Sequence, residues 1–208
     1  MTAIIDYGVG NLFSLVSSFK KIGEEAVVTS DPQILKGADR IILPGVGAFR
    51  DAAQKLNDSG LVEVLNEQIK AGKPVMGICL GMQLLFEKSF EYGENEGLGL
   101  IKGNVVPIDS KNGSLKVPHM GWNALMFKNG KHPLFKYIKD GDCVYFVHSY
   151  HADCNPAAKI ATVEYGDELT ASVASGNVLG CQFHPEKSGS VGLNILKAFC
   201  EMKEGSLC

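Results

Sequence analysis

The stretch Val75-Met76-Gly77-Ile78-Cys79-Leu80-Gly81-Met82-Gln83 changes character at a single residue. Ahead of Cys79, and just after Lys73-Pro74, lies an apolar run of strand length; beyond it Met82, Leu84, Leu85 and Phe86 read as a helical stripe. A strand that turns sharply into a helix, with Gly77 and Gly81 on either side of a nucleophile, is an elbow. The glycines allow the tight backbone, and the nucleophile is presented at the top of a sheet. The helix N-terminus that follows brings positive potential and backbone N–H groups toward the sulfur. Taken alone, Cys79 is equally compatible with a small buried residue at the end of a strand.

The same alternation extends outward. Residues 2–6 form a short apolar run meeting the turn Gly8-Val9-Gly10, after which Leu12, Leu15, Val16, Phe19 and Ile22 fall at helical spacing until Gly23. Residues 26–29 and 40–43 are further β-branched runs, and Leu61, Val64, Leu65 and Ile69 carry another helical stripe. Short buried strands alternating with helices predict an α/β fold with a doubly wound, mostly parallel sheet flanked by helices. From Gly103 the second half is more strand-rich, with candidates at 105–106, 124–127, 143–147, 160–164, 171–175 and 178–182. Ser175-Gly176-Asn177 suits a hairpin, and a final helix is expected over 190–202. With no repeat or linker in view, residues 1–208 are expected to form a single domain.

Composition narrows the function. The 208 residues are 45% hydrophobic and 21% charged, with a net charge of −3 and no basic stripe to match a phosphate backbone, so nucleic acid is not an expected partner. No apolar run reaches the length needed to span a bilayer, and the expectation is a soluble, cytoplasmic protein with no membrane partner. Six cysteines, at 79, 143, 154, 181, 200 and 208, include no C-x-x-C pair. Free thiols are expected, with no metal site and no cofactor.

A nucleophile needs a base, and Gln182-Phe183-His184-Pro185-Glu186 offers one. Pro185 disfavours a helical conformation at His184, and in an extended segment residues two apart share a side, making His184 and Glu186 neighbours. Cys79, His184 and Glu186 then form a triad: the imidazole takes the thiol proton and returns it to the leaving amine, while the carboxylate fixes the tautomer. A loop histidine beside an exposed glutamate is the plainer reading of that pair. His148 and His151, in Val147-His148-Ser149-Tyr150-His151, are competing bases, but neither has a carboxylate similarly placed. Pro44-Gly45-Val46-Gly47 follows the strand at 40–43, and its glycines free the backbone to aim an N–H at an oxyanion or simply to make a turn.

These residues resemble the class I, triad-type glutamine amidotransferases, and within them the glutaminase subunits of imidazole glycerol phosphate synthases. The resemblance is carried by the segments at 5–12, 43–47, 77–83, 118–123, 145–151 and 184–188, in the family's order over nearly the whole chain. Pro118-His119-Met120-Gly121-Trp122-Asn123 and Pro185-Glu186-Lys187-Ser188 are its more specific parts. It implies a class I glutamine amidotransferase-like fold in which Cys79 attacks the carboxamide of glutamine to give a glutamyl thioester. It implies an oxyanion hole from Leu80 and one of Gly45, Val46 and Gly47, and a glutamine site from Gln83, His148, Ser149 and Tyr150. Ammonia then passes to a (β/α)8-barrel cyclase subunit in a heterodimer, where Asn11, Trp122, Tyr145 and Lys187 match interface positions and Trp122 is a reasonable aromatic anchor. There it combines with a nucleotide to give imidazole glycerol phosphate and an aminoimidazole carboxamide ribotide in histidine biosynthesis.

Other readings share parts of this pattern. A paralogous amidotransferase subunit can feed a partner that amidinates a surface-polysaccharide sugar. A peptidase of similar topology can carry the same elbow, and a non-catalytic binding module can carry the same fold. The chain has neither a P-loop nor a dinucleotide fingerprint with which to hold the ammonia acceptor itself.

Overall fold

The computed structural model describes residues 1–203. Its first half follows strand–helix alternation: β1 Thr2–Ile5, α1 Leu12–Lys21, β2 Ala26–Thr29, α2 Pro32–Gly37, β3 Arg40–Leu43, α3 Phe49–Asp58, α4 Leu61–Lys70, β4 Val75–Ile78 and α5 Leu80–Leu84. The chain then runs through β5 Phe86–Ser89, β6 Asn95–Glu96, β7 Ile101–Pro107, β8 His119–Ala124, β9 Met126–Phe127, β10 Cys143–His148 and β11 Tyr150–Cys154. β12 Lys159–Tyr165, β13 Asp167–Ser175, β14 Val178–Cys181 and α6 Gly189–Cys200 complete it.

The central sheet has eight strands in the order β2-β1-β3-β4-β14-β13-β12-β9. The first five run parallel, and β13, β12 and β9 extend the sheet antiparallel. Its inner parallel strands β1, β3, β4 and β14 are buried on both faces, as their largely apolar sequences require, while the edge strand β2 is half-buried. Successive residues of each strand feed opposite cores. Ile4, Ile42, Met76 and Ile78 pack with Leu15 and Phe19 of α1 and Ile195 and Phe199 of α6. Ala3, Ile5, Ile41, Leu43 and Val75 pack with Leu35, Ala52, Leu56, Leu61 and Leu65 on the other face. Burying each large apolar side chain contributes about 1.5–3 kcal/mol against the entropy of ordering it. A two-stranded ribbon of β8 and β10 and a four-stranded sheet in the order β11-β7-β5-β6 adjoin this layer.

Local chemistry sets several boundaries. Asn11 caps α1 by accepting from Ser14 N at 3.4 Å, and Lys20 and Lys21 lie in its last turn, where cations suit the helix dipole. Asp31 caps α2 by accepting from Gln33 N at 2.8 Å, with Pro32 in the first turn. The hairpin at Ser175-Gly176-Asn177 is present, with Ser175 paired to Val178.

The structure departs from the sequence expectations in several places, among them the strands β5, β6, β8 and β11, which the sequence patterns do not announce. The helix after Cys79 ends at Leu84, and Phe86 opens β5 instead of continuing an apolar stripe. The strand expected at 124–127 is split, because Ala124 ends β8, paired to β10, while Met126 begins β9, paired to β12. α2 and α3 were not anticipated; α3 is polar apart from its buried residues Phe49, Ala52 and Leu56. No helix among the described residues is long and apolar enough to cross a membrane. Cys79, Cys143, Cys154, Cys181 and Cys200 are free thiols, and Cys208 lies outside the described residues.

Candidate active site

β4 and β14 are parallel neighbours, with Ile78 opposite Cys181. Both strands end at the same edge of the sheet, so the residues that follow them emerge side by side. Cys79 follows one and His184 follows the other by a few residues, and Cys79 N donates to Cys181 O at 2.7 Å. Sheet order thus joins two positions far apart in sequence at the carboxyl ends of parallel strands, where ligands bind in open α/β sheets.

Cys79 sits at φ 54° and ψ −112°, in the left-handed half of backbone space that a side chain seldom enters. The elbow is held there by close packing between glycines. A Cβ at Gly81 would lie 1.9 Å from Leu43 O, one at Gly77 would lie 2.6 Å from Gly81 O, and one at Gly45 would lie 2.7 Å from Gly81 N. The Pro44-Gly45 turn is therefore pressed against the start of α5. Tyr7 fixes it from below, its hydroxyl donating to Pro44 O at 2.6 Å. Burial, and then the nearby Cys79, raise the Tyr7 pKa, keeping this donor protonated.

His184 has the extended conformation that its proline neighbour favours, at φ −102° and ψ 97°. Pro185–Lys187, however, is a 3-10 turn, so the turn brings Glu186 to the imidazole, where the sequence suggested the pleat of an extended segment. His184 Nδ1 lies 2.8 Å from Glu186 Oε1, with both side chains buried. Nδ1 is committed to the carboxylate, leaving Nε2 for the Cys79 thiol, with which the ring also interacts. Burial alone disfavours a charged ring, but the hydrogen bonds and charges of Cys79 and Glu186 outweigh it and raise the His184 pKa to about 9. The loop is stitched to β10: His184 N donates to Tyr145 O at 2.9 Å, Ser188 Oγ donates to His184 O at 2.7 Å and itself accepts from Tyr145 N at 2.9 Å.

Cys79 and His184 open onto a cavity of about 350 Å³ lined also by Leu80, Gln83, His148, Ser149 and Tyr150. Val46 and Gly47 form part of its wall. Gly45 does not line it, and instead packs against Gly81. Gln83 Nε2 donates to Tyr150 O at 3.0 Å and to Gln182 Oε1 at 3.1 Å, and Gln182 Nε2 points at Cys79 Sγ from 3.9 Å. Of the competing bases, His148 lines the cavity, but both its ring nitrogens are occupied and burial pushes its pKa down to about 3. His151 does not line the cavity, and its Nδ1 is buried without a hydrogen-bond partner.

Two residues of the site, Glu91 on the cavity wall and Gln182 behind it, have no local sequence signature. Glu91 places its carboxylate at the cavity and accepts from Phe49 N at 2.5 Å. Gln182 is legible only through its contacts with Gln83 and Cys79. Among the residues expected at a partner face, Trp122 is 56% exposed and meets Tyr145 edge-on at 6.0 Å, and Lys187 Nζ lies 5.9 Å over the Tyr145 ring. Asn11 is half-buried at the α1 cap. Among the described residues no group of three or more His, Cys, Asp or Glu side chains is arranged to hold a metal ion.

A cysteine on a strand–helix elbow beside a buried His–Glu pair is an arrangement suited to thiol acyl transfer, and the family model for class-I glutamine amidotransferases matches residues 3–202. The chain belongs to the class-I glutamine amidotransferases. Within that class it is 52% identical over 203 residues to imidazole glycerol phosphate synthase subunit HisH of Caldanaerobacter subterraneus subsp. tengcongensis, an alignment covering 97% of this chain and 98% of the relative. It is 49% identical over 199 residues to the HisH subunit of Lactococcus lactis subsp. lactis, covering 95% of this chain and 96% of that one. Among solved structures it shares its fold with a crystal structure of a glutamine amidotransferase, at TM-score 0.73 and 20% identity over 96% of this chain and 97% of that one. It also shares it with the structure of PurLQS from Thermotoga maritima, at TM-score 0.72 and 21% identity over 96% of each chain.

Proposed function

We propose that this chain is the glutaminase subunit of an imidazole glycerol phosphate synthase, a single amidotransferase unit that hydrolyses glutamine and passes the ammonia to a barrel cyclase partner in histidine biosynthesis. The observation that carries the chemistry is the placement of Cys79 and His184 at the ends of adjacent parallel strands, with Glu186 hydrogen-bonded to His184. Near-full-length identity of about half to HisH subunits supports the pathway.

In this reading the Cys79 thiol gives its proton to His184 and the sulfur attacks the carboxamide carbon of glutamine. The tetrahedral oxyanion faces the N–H of Leu80, which has no helical partner at the start of α5, and an N–H of the 45–47 turn. Collapse of that intermediate transfers the proton to the leaving nitrogen and releases ammonia. The glutamyl thioester is then cleaved by water, which gives a proton to His184 as the thiolate departs. Gln83, Ser149 and the Tyr150 edge hold the substrate, and the Glu91 carboxylate suits its α-ammonium group. Asn11, Trp122, Tyr145 and Lys187 form the docking face in the heterodimer, and the complex works in the cytoplasm.

The 45–47 turn is the proposed gate. Gly47 already adopts a φ of +97°, open to glycine, and Val46 is exposed. Losing one oxyanion donor costs about 2.7–4 kcal/mol, so turning a single peptide inward on partner binding can account for strong activation. The test measures glutamate released by the chain alone, with the cyclase subunit of its own organism, and with cyclase plus its nucleotide substrate. Rising turnover across the three, with ammonia recovered in the cyclase product, is expected. Full turnover by the isolated chain refutes the gate, and glutamine hydrolysis unaffected by the cyclase refutes the partnership.

A further inference from the structure

The residues of β8 and β10 that face inward form a buried polar chain that the hydrolytic chemistry above does not use. His119 is fully buried and lies between two rings, stacked on Phe146 at 4.8 Å and on Tyr165 at 4.0 Å. Its cross-strand partner is His148, and His119 Nδ1 lies 3.0 Å from His148 Nε2. At the far side, His148 Nδ1 lies 2.9 Å from Tyr150 O. His119 Nε2 lies 2.9 Å from Asn123 Oδ1.

The directions of these bonds are fixed by elimination. A carbonyl oxygen only accepts, so His148 Nδ1 carries a proton. Burial holds that ring neutral, which leaves Nε2 as a lone pair. His119 Nδ1 must then be the donor, and because burial also lowers its pKa its Nε2 is an acceptor, which requires the Asn123 amide to turn end for end so that Nδ2 replaces Oδ1 beside the ring. The Tyr150 carbonyl that ends the chain also accepts from Gln83, which lines the cavity beside Cys79. β8 begins the chain and carries Met120 and Trp122 on its opposite, exposed face, where they are 60% and 56% accessible.

We propose that His119 is a positioning residue for glutamine hydrolysis: by donating to His148 it orients that ring and the Tyr150 carbonyl, and so fixes Gln83 against the substrate from the strand that carries the exposed Trp122. The inference rests on the glutaminase reading above. A purely structural role predicts that filling the space between Phe146 and Tyr165 suffices. A positioning role requires the donor.

The pair His119→Phe and His119→Asn separates these, because phenylalanine keeps the stacking and removes the N–H, whereas asparagine keeps a donor near the Nδ1 position and gives up the stacking. Both are assayed in complex with the cyclase, with thermal midpoint and partner affinity measured alongside. His119→Phe is expected to lose about tenfold or more in kcat/KM for glutamine, the scale of one buried hydrogen bond, with partner affinity unchanged and His119→Asn recovering most of the activity. Activity of His119→Phe equal to the unsubstituted chain overturns the proposal, as does an equal loss in both variants. Long-range 1H–15N spectra of the unsubstituted full chain give a second reading that needs no variant to fold. Both rings should appear as the Nδ1–H tautomer, and an Nε2–H tautomer at either ring overturns the relay. If the unsubstituted complex releases no glutamate, the glutaminase reading itself fails, and the spectra still decide the relay.

Discussion

Replacing Glu186 with glutamine isolates what the carboxylate charge does, since the side chain keeps its shape and can still offer an oxygen to His184. The Nδ1–Oε1 hydrogen bond is 2.8 Å long, and the two side chains are only 3% and 2% exposed, so solvent screens the pair weakly. A charge-assisted hydrogen bond of this kind contributes about 1.5–3 kcal/mol, because the imidazolium formed when Cys79 gives up its proton loses its counter-charge. Lost from the transition state, that is roughly a 10- to 150-fold fall in kcat/KM. Thiol and base remain in place, so Glu186→Gln should retain activity that Cys79→Ala does not. The assay is glutamate release by the complex with cyclase over a range of glutamine concentrations. Turnover within about threefold of the unsubstituted complex refutes the role of the carboxylate charge. A loss as complete as that of Cys79→Ala shows that Glu186 does more than orient and support the ring.

The raised His184 pKa has a consequence for stability. A folded-state value of about 9 against 6.5 contributes stability that is fully present below pH 6.5 and is lost as pH rises through 9. The difference in urea midpoint between the unsubstituted chain and Glu186→Gln should therefore shrink from pH 6 to pH 9, and a widening difference contradicts the assignment. Gly81→Ala places a Cβ 1.9 Å from Leu43 O, and the atoms it meets in Leu43 and Pro44 are all backbone, so the elbow must shift. A stability loss of about 1–3 kcal/mol in chemical denaturation is expected, with glutaminase activity falling further than stability, and a variant with normal midpoint and activity refutes the packing argument. Trp122→Ala should weaken binding to the cyclase by about 2 kcal/mol or more by calorimetry, and an unchanged affinity moves the docking face elsewhere.

The elbow and the His-x-Glu pair were legible because their signals are local. Glycines flank a cysteine between a strand and a helix, and a proline separates the base from its carboxylate. Features carried by long-range pairing were less so. β8 is hidden in the sequence because its apolar residues Met120 and Trp122 point outward while His119 points in, the reverse of the usual alternation. α3 buries a narrow stripe and is otherwise polar, which hides its periodicity. α5 stops after Leu84 because the next residues pair as β5 with β7, a tertiary demand that the apolar run Leu84-Leu85-Phe86 does not announce. The His184–Glu186 spacing announces the contact but not its backbone, since a 3-10 turn, and not an extended segment, makes it. Glu91 reaches the cavity from a loop after β5, and no spacing rule ties it to Cys79.

The account stands on Cys79 as the nucleophile, and the most direct test is glutamate release by Cys79→Ala assembled with its cyclase. The side chain is small and 8% exposed at a strained elbow, so its truncation leaves the core and the docking face intact. The account predicts a folded variant that binds cyclase with unchanged affinity and releases no glutamate above background. Glutamate turnover by that same folded complex at a rate near that of the unsubstituted enzyme contradicts it.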